Sequence, residues 1–218
     1  MPRQLRAEQT RATILTAAAD LFDRHGYEST SLSDIVEHAK VTKGALYFHF
    51  AAKEDLAHAI LELQSEASRR VAGEVDGHGY PSLEALMRIT FGFARLSVEG
   101  PIARAGLRLA TGPVPVRPPL RHPFTEWREL VSRRLHGAVR ESDLHPDVDI
   151  DAVTHSLVSF FVGTRVVGRS LEPVARLPRR MAEMWHLLIR GLVPVPRRPR
   201  YLTLVTRLER ETAAAAVL

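Results

Sequence analysis

Residues 41–50 read VTKGALYFHF and set a threonine, a lysine, a bare glycine, a phenol and an imidazole within ten positions. These groups share one chemistry, donation of N–H and O–H to a surface rich in acceptors and negative charge. Lys43 can donate to guanine O6 or N7, Tyr47 and His49 can donate to phosphate oxygens, and the first amides of a helix attract anions on their own account. A buried helix would not hold Lys43 and His49, and an ordinary solvated one would not hold Tyr47, Phe48 and Phe50. Gly44, in the first turn, costs about 0.5 to 1 kcal/mol relative to alanine and permits close approach to the backbone.

The flanking sequence supplies the elements that must hold this stretch. From Ala7 to His25 the residues Ile14, Ala17, Ala18, Leu21 and Phe22 fall at helical spacing, and Gly26 with Tyr27 stops the helix. In STSLSDIVEHA, Ser31 can cap with Asp34 in the first turn, while Leu32, Ile35, Val36 and Ala39 form one apolar face. Lys40 and Val41 make a brief turn, and Thr42 is the natural cap of a third helix running to about Phe48. On that helix Lys43 and Tyr47 share one face and Leu46 and Phe50 another, so one face is core and the other a reading face. Two short helices across a tight turn are the geometry of a helix-turn-helix; on the local pattern alone, a structural helical hairpin in which Tyr47 and Phe48 merely pack is the rival.

Further along, AAKEDLAHAILELQSEASRRV continues as a long fourth helix, and VDGHGYPS breaks it. The expected organisation is a first domain at 1–53, a connecting helix at 54–75 and a second domain at 76–218. Helices are predicted at 82–98, 102–110, 122–142, 148–169, 174–192 and 200–214, separated by the proline-dense GPVPVRPPLRHP and VPVPRRP, with a fraying AAAAVL tail. No stretch alternates like a strand, so the fold class is all-α.

Net charge is +5, yet residues 1–75 hold 9 Lys+Arg against 11 Asp+Glu and residues 76–218 hold 21 against 14, so bulk charge argues nothing about nucleic acid. Placement says more. All three lysines, Lys40, Lys43 and Lys53, surround the opening stretch, and Arg3, Arg6 and Arg11 crowd the N-terminus. Cysteine is absent, which removes disulfides, thiolate nucleophiles and zinc-thiolate sites. No HExxH, GxSxG, GxGxxG or P-loop pattern occurs, so neither an enzyme nor a cofactor or metal site is expected. The charged start has no signal-peptide run and no later segment approaches 18 uncharged apolar residues, so the expectation is a cytoplasmic protein with no membrane association.

The run GYESTSLSDIVEHAKVTKGALYFHFAAKEDL resembles the N-terminal domain of the tetracycline-repressor (TetR) family of transcriptional regulators, over about residues 7–60. The resemblance implies a homodimer that offers two helix-turn-helix heads to a palindromic operator in double-stranded DNA, and a larger C-terminal helical domain that binds a small effector and dimerises. By position, Thr42, Lys43, Gly44, Tyr47, His49 and Lys53 would be the DNA-binding residues. RQLRAEQTRATIL, RAGLRLATGPVPVRPPLRHPFTEWREL and AEMWHLLIRGLVP further resemble the γ-butyrolactone autoregulator receptors of actinomycetes, which implies a repressor of antibiotic production or development released by a diffusible lactone. A TetR-type repressor responding to drugs and a lactone-insensitive pseudo-receptor are the alternatives.

Ligand-pocket candidates are fewer and softer. Trp127 matches by position a pocket tryptophan of the lactone-receptor branch, and a buried indole needs a partner for its N–H. Gln64, polar on an amphipathic helix, faces either a cavity or water. Phe91 and Phe93, and Phe160 and Phe161, sit on helices apolar enough to be buried, and Phe91 and Phe161 are the candidate pocket residues among them. The helices at 148–169 and 174–192 carry more apolar surface than one hairpin needs, which suggests a four-helix interface between subunits.

Overall fold

A computed structural model of the chain describes residues 3–112 and 122–215. Among these, ten α-helices follow one another: α1 (Arg3–Arg24), α2 (Leu32–Ala39), α3 (Lys43–His49), α4 (Lys53–Asp76), α5 (Ser82–Glu99), α6 (Pro101–Ala110), α7 (Pro123–Arg140), α8 (Ile150–Leu171), α9 (Leu177–Leu192) and α10 (Arg198–Ala215). No strand occurs among the described residues, and the fold class is all-α. Most of GPVPVRPPLRHP and the last three residues of AAAAVL lie outside them.

Two prolines refine the expected boundaries. The eighth and ninth helices are separated by a one-turn 3-10 helix at Val174–Arg176, and Pro178 then opens α9 within its first turn. A second such turn at Val195–Arg197 leads into α10, which takes Pro199 into its start rather than following it. Proline is tolerated there because its missing N–H is one a helix start leaves unpaired anyway.

The chain forms two compact units, residues 1–67 with 100–123, and residues 68–99 with 124–218. In the first, α1 packs on α2, α3 and α6. Ile14, Ala18, Phe22, Ile35, Leu46, Leu56 and Ile60 are fully buried there. α6 is fixed by a pair of arginines: Arg104 Nε donates to the Asp23 carboxylate at 2.7 Å, and Arg108 donates to the Asp23 carbonyl at the end of α1. Gly26 follows with φ of 92°, and a Cβ there would meet the Arg108 guanidinium at 2.7 Å. The turn therefore favours glycine for its positive φ, whereas the Arg108 guanidinium is the end of a flexible side chain that can shift. α6 falls within the span expected as the second domain, and these contacts tie it to α1.

In the second unit α5 is the central helix, with Leu83, Leu86, Met87, Ile89, Thr90, Phe91 and Ala94 buried around nearly its whole circumference. α9 and α10 pack against it and against each other, and α8 packs on α9. Glu84 of α5 accepts from Arg88 and from Arg200 Nη2 of α10, at 2.7 and 2.9 Å. Burial alone would raise the Glu84 carboxyl, but the hydrogen bonds from Arg88 and Arg200 outweigh it and hold it below the ordinary value.

Candidate functional site

The head is built by caps. Ser31 Oγ accepts from the Asp34 N–H at 3.1 Å and the Ser31 N–H donates to Asp34 Oδ2 at 2.8 Å, a complete capping box. The backbone N–H of Ser31, and then its hydroxyl, hold the Asp34 carboxyl below the usual range. Lys40 ends α2 in the left-handed region with φ of 53°, its N–H donating to the Glu37 carbonyl. Thr42 then caps α3, its Oγ1 accepting from the Ala45 N–H at 3.1 Å. Two helices are thus turned about each other within three residues.

Leu46 and Phe50 are buried at 0% and 4% exposure, whereas Tyr47 is 57% exposed and Phe48 77%. Thr42, Lys43 and Gly44 are exposed with them, and His49 is half-buried, its ring edge-on to Phe48 at 4.9 Å. Gly44 and Phe48 stand four residues apart and so share a face. Phe48 was absent from the expected site; its signal was that spacing, masked by the ordinary preference of phenylalanine for the core. Arg11 of α1 holds its guanidinium 5.2 Å from the Phe50 ring, at the far end of α3. The Arg3 side chain lies outside the described residues.

Gly44 has no internal reason to be glycine. A Cβ built there meets nothing nearer than Thr42 Oγ1 at 4.0 Å, so an alanine would fit and would favour the helix. The bare backbone faces outward. Lys53, expected among the contacts, is placed differently: its Nζ donates to the carbonyls of Tyr27 and Thr30, each at 2.9 Å, and sits 4.4 Å from the Tyr27 ring centroid.

In the second unit Trp127 of α7 is 8% exposed and lies edge to face with Phe161 of α8 at 4.8 Å and with Phe93 of α5 at 5.7 Å. Among the described residues no acceptor reaches its buried Nε1. The other tryptophan shows what structural burial looks like here: Trp185 Nε1 donates to Thr90 Oγ1 at 2.9 Å, and that hydroxyl in turn donates to the Met87 carbonyl at 2.8 Å. Phe91 stands apart from the Trp127 cluster. Two residues from Phe93 on a helix is over half a turn, and Phe91 lines a separate groove with Val71, Gly92 and Leu208. Gln64 belongs to the first unit, its Cβ and Cγ lying against Gly106, where a Cβ would come within 2.6 Å. α6 can approach α4 that closely only because residue 106 is glycine.

Among the described residues no group of three or more His, Asp or Glu is placed to hold a metal ion.

Two family models match the chain: residues 14–60 match the bacterial regulatory proteins of the tetR family, and residues 80–194 the tetracyclin repressor-like C-terminal domain. The chain is 37% identical to the A-factor receptor protein of Streptomyces griseus over 189 residues, 86% of this chain and 66% of that receptor, just under two thirds of its length. Among solved structures, CprB of Streptomyces coelicolor A3(2), described as a TetR family protein, is 71% identical with a TM-score of 0.90, over 94% of this chain and 99% of the other. CprB has also been solved in complex with its biological operator sequence, at a TM-score of 0.86 to this chain with the same coverage. A γ-butyrolactone receptor described as ArpA-like is 68% identical over 94% of this chain and 99% of its own, with a TM-score of 0.85.

Proposed function

The chain belongs to the tetR family of bacterial regulatory proteins, related to the A-factor and γ-butyrolactone receptors, and on that premise we propose that it is a repressor which binds a palindromic operator as a homodimer and is released by a γ-butyrolactone-type ligand. Its targets, on this reading, are genes of antibiotic production or development, and it works on DNA in the cytoplasm. The observation that carries the ligand half is the Trp127 indole: a buried donor with no acceptor among the described residues, in T-shaped contact with two phenylalanine rings. An unmet buried donor is disfavoured by about 1 to 3 kcal/mol, a deficit that a lactone carbonyl would remove while its alkyl tail lies on Phe93 and Phe161.

The DNA half rests on the outward face of α3. Thr42 and the first amides of the helix favour phosphate, Lys43 donates to a guanine edge, and Tyr47 and His49 steady the head on the backbone. Gly44 lets α3 lie close to the groove, and Phe48 supports apolar contact with a sugar or a thymine methyl. Release is a population shift, in which the ligand favours a conformation whose two heads no longer match the half-site spacing. α4, whose residues are shared between the two compact units, is the proposed lever.

For the dimer, α8 exposes Phe160, Val166, Val167 and Leu171, and α9 exposes Leu187 at 70%. The stretch Ile150–Gly168 is long and apolar enough to cross a membrane by length and composition, with 28% of it buried. Asp151 and Arg165 interrupt it, so a second copy of the same helices suits that surface better than lipid, forming a four-helix interface about a two-fold axis.

Selection from a random duplex pool tests the DNA half: enrichment of a two-fold-symmetric sequence is expected, and enrichment of none would count against a dimeric operator reader.

A further inference from the structure

We propose that Lys53 is a positioning residue for operator binding, not a phosphate contact: it staples the start of α4 to the turn between α1 and α2, and so fixes the reading head on the helix that moves it. This rests on the DNA reading above. Lys53 is the first residue of α4, and its ammonium is directed inward at three carbonyls of one turn, those of Tyr27 and Thr30 at 2.9 Å and Glu28 at 3.5 Å. The Tyr27 ring covers it at 4.4 Å. An ammonium has three N–H donors, and each of them has an acceptor here.

The turn it grips is also tied within itself and to α1, the Tyr27 ring lying 5.4 Å from that of Phe22. The Thr30 hydroxyl donates to the Gly26 carbonyl at 2.8 Å and the Thr30 N–H reaches the Tyr27 carbonyl only at 3.4 Å. Ser31, the cap of α2, follows immediately. Holding residues 27–30 therefore holds the start of α2, and through the three-residue turn it holds α3. On the other side Asp55 Oδ2 accepts from the Ala52 N–H at 2.9 Å, which fixes the start of α4 from which Lys53 reaches. Charge-assisted bonds from a lysine to several carbonyls are a point-charge arrangement that the flat fork of arginine cannot reproduce.

The test is operator affinity by fluorescence anisotropy over a salt series, for the full chain and for Lys53→Met and Lys53→Arg, at a temperature well below each melting point, with amide exchange followed at Thr30 and Ser31. We expect both variants to bind about tenfold or more weakly, with the slope of log affinity against log salt unchanged and faster exchange at the turn. A lysine that neutralises phosphate would instead give Lys53→Met a slope shallower by about 0.9 for each phosphate left without its cation, and full rescue in Lys53→Arg. Either result would overturn the staple, as would a lowered melting point with wild-type affinity. If Lys53→Met does not fold, Lys53→Arg decides alone, since it keeps the charge and loses only the cradle. A wild-type chain that binds no operator sinks the repressor reading instead, and unaltered exchange at Thr30 in the variants then refutes the staple independently.

Discussion

Trp127 and Phe161 meet edge to face, with ring centroids 4.8 Å apart and planes at 87°. The indole packs against both rings while its buried N–H has no acceptor among the described residues. Packing and hydrogen bonding are thereby separable at one residue. Trp127→Phe should keep most of the packing, leave operator affinity unchanged and weaken release by lactone about tenfold. Trp127→Ala should destabilise the second unit by about 3 to 5 kcal/mol. Equal lactone response in the phenylalanine variant would remove the indole from the recognition.

Gly44→Ala separates stability from function in the opposite direction. With open space where the methyl would go, thermal melting should rise, reflecting about 0.5 to 1 kcal/mol of added stability. Operator affinity should fall because the methyl keeps α3 off the groove floor. Unchanged affinity in a titration at fixed salt would mean the glycine is merely tolerated.

Acid and base should unfold the second unit through different residues. Glu84 has its folded carboxyl held down by Arg88 and Arg200, so its contribution is fully present above the ordinary glutamate range and is lost as pH falls through the lowered value. Tyr201 is the reverse: burial, and then the nearby Asp143 carboxylate, push its phenol up, so its contribution is present below the ordinary value near 10 and fades as pH rises past it. Denaturant titrations at a series of pH values should show Glu84→Gln losing about 1 to 3 kcal/mol at neutrality with a flatter acid limb. Tyr201→Phe should flatten only the alkaline limb.

Leu187→Glu combined with Val167→Glu should give a folded monomer by sedimentation, with operator affinity reduced by at least about a hundredfold because one head alone reads half a site. A dimer that survives both charges would place the interface elsewhere.

Much of the head was readable because its signals are local. Ser31 with Asp34, Thr42, and Gly26 each act within a few residues, and the structure places caps or a left-handed turn at all of them. What escaped the sequence is what depends on distant partners. The acceptors of Lys53 lie 23 to 26 residues earlier, which its local sequence does not announce. Phe91 and Phe93 are equivalent in composition and differ only in which side of α5 meets α7. Arg104 and Arg108 draw α6 to α1 across more than 80 residues, which no periodicity announces. Phe48 stood out in the sequence as unusual for a solvated helix, but whether it packs or faces outward depended on the placement of α3, which exposes it.

Whether the protein is a lactone-released repressor can be decided by fluorescence anisotropy of the wild-type chain on an operator from its own upstream region, titrated with γ-butyrolactones at fixed salt. The expected result is specific binding that one lactone abolishes in a saturable manner, with the Trp127→Phe variant needing more of it. Specific binding that no lactone disturbs would contradict the receptor half and leave a repressor that answers to drugs or to no lactone at all.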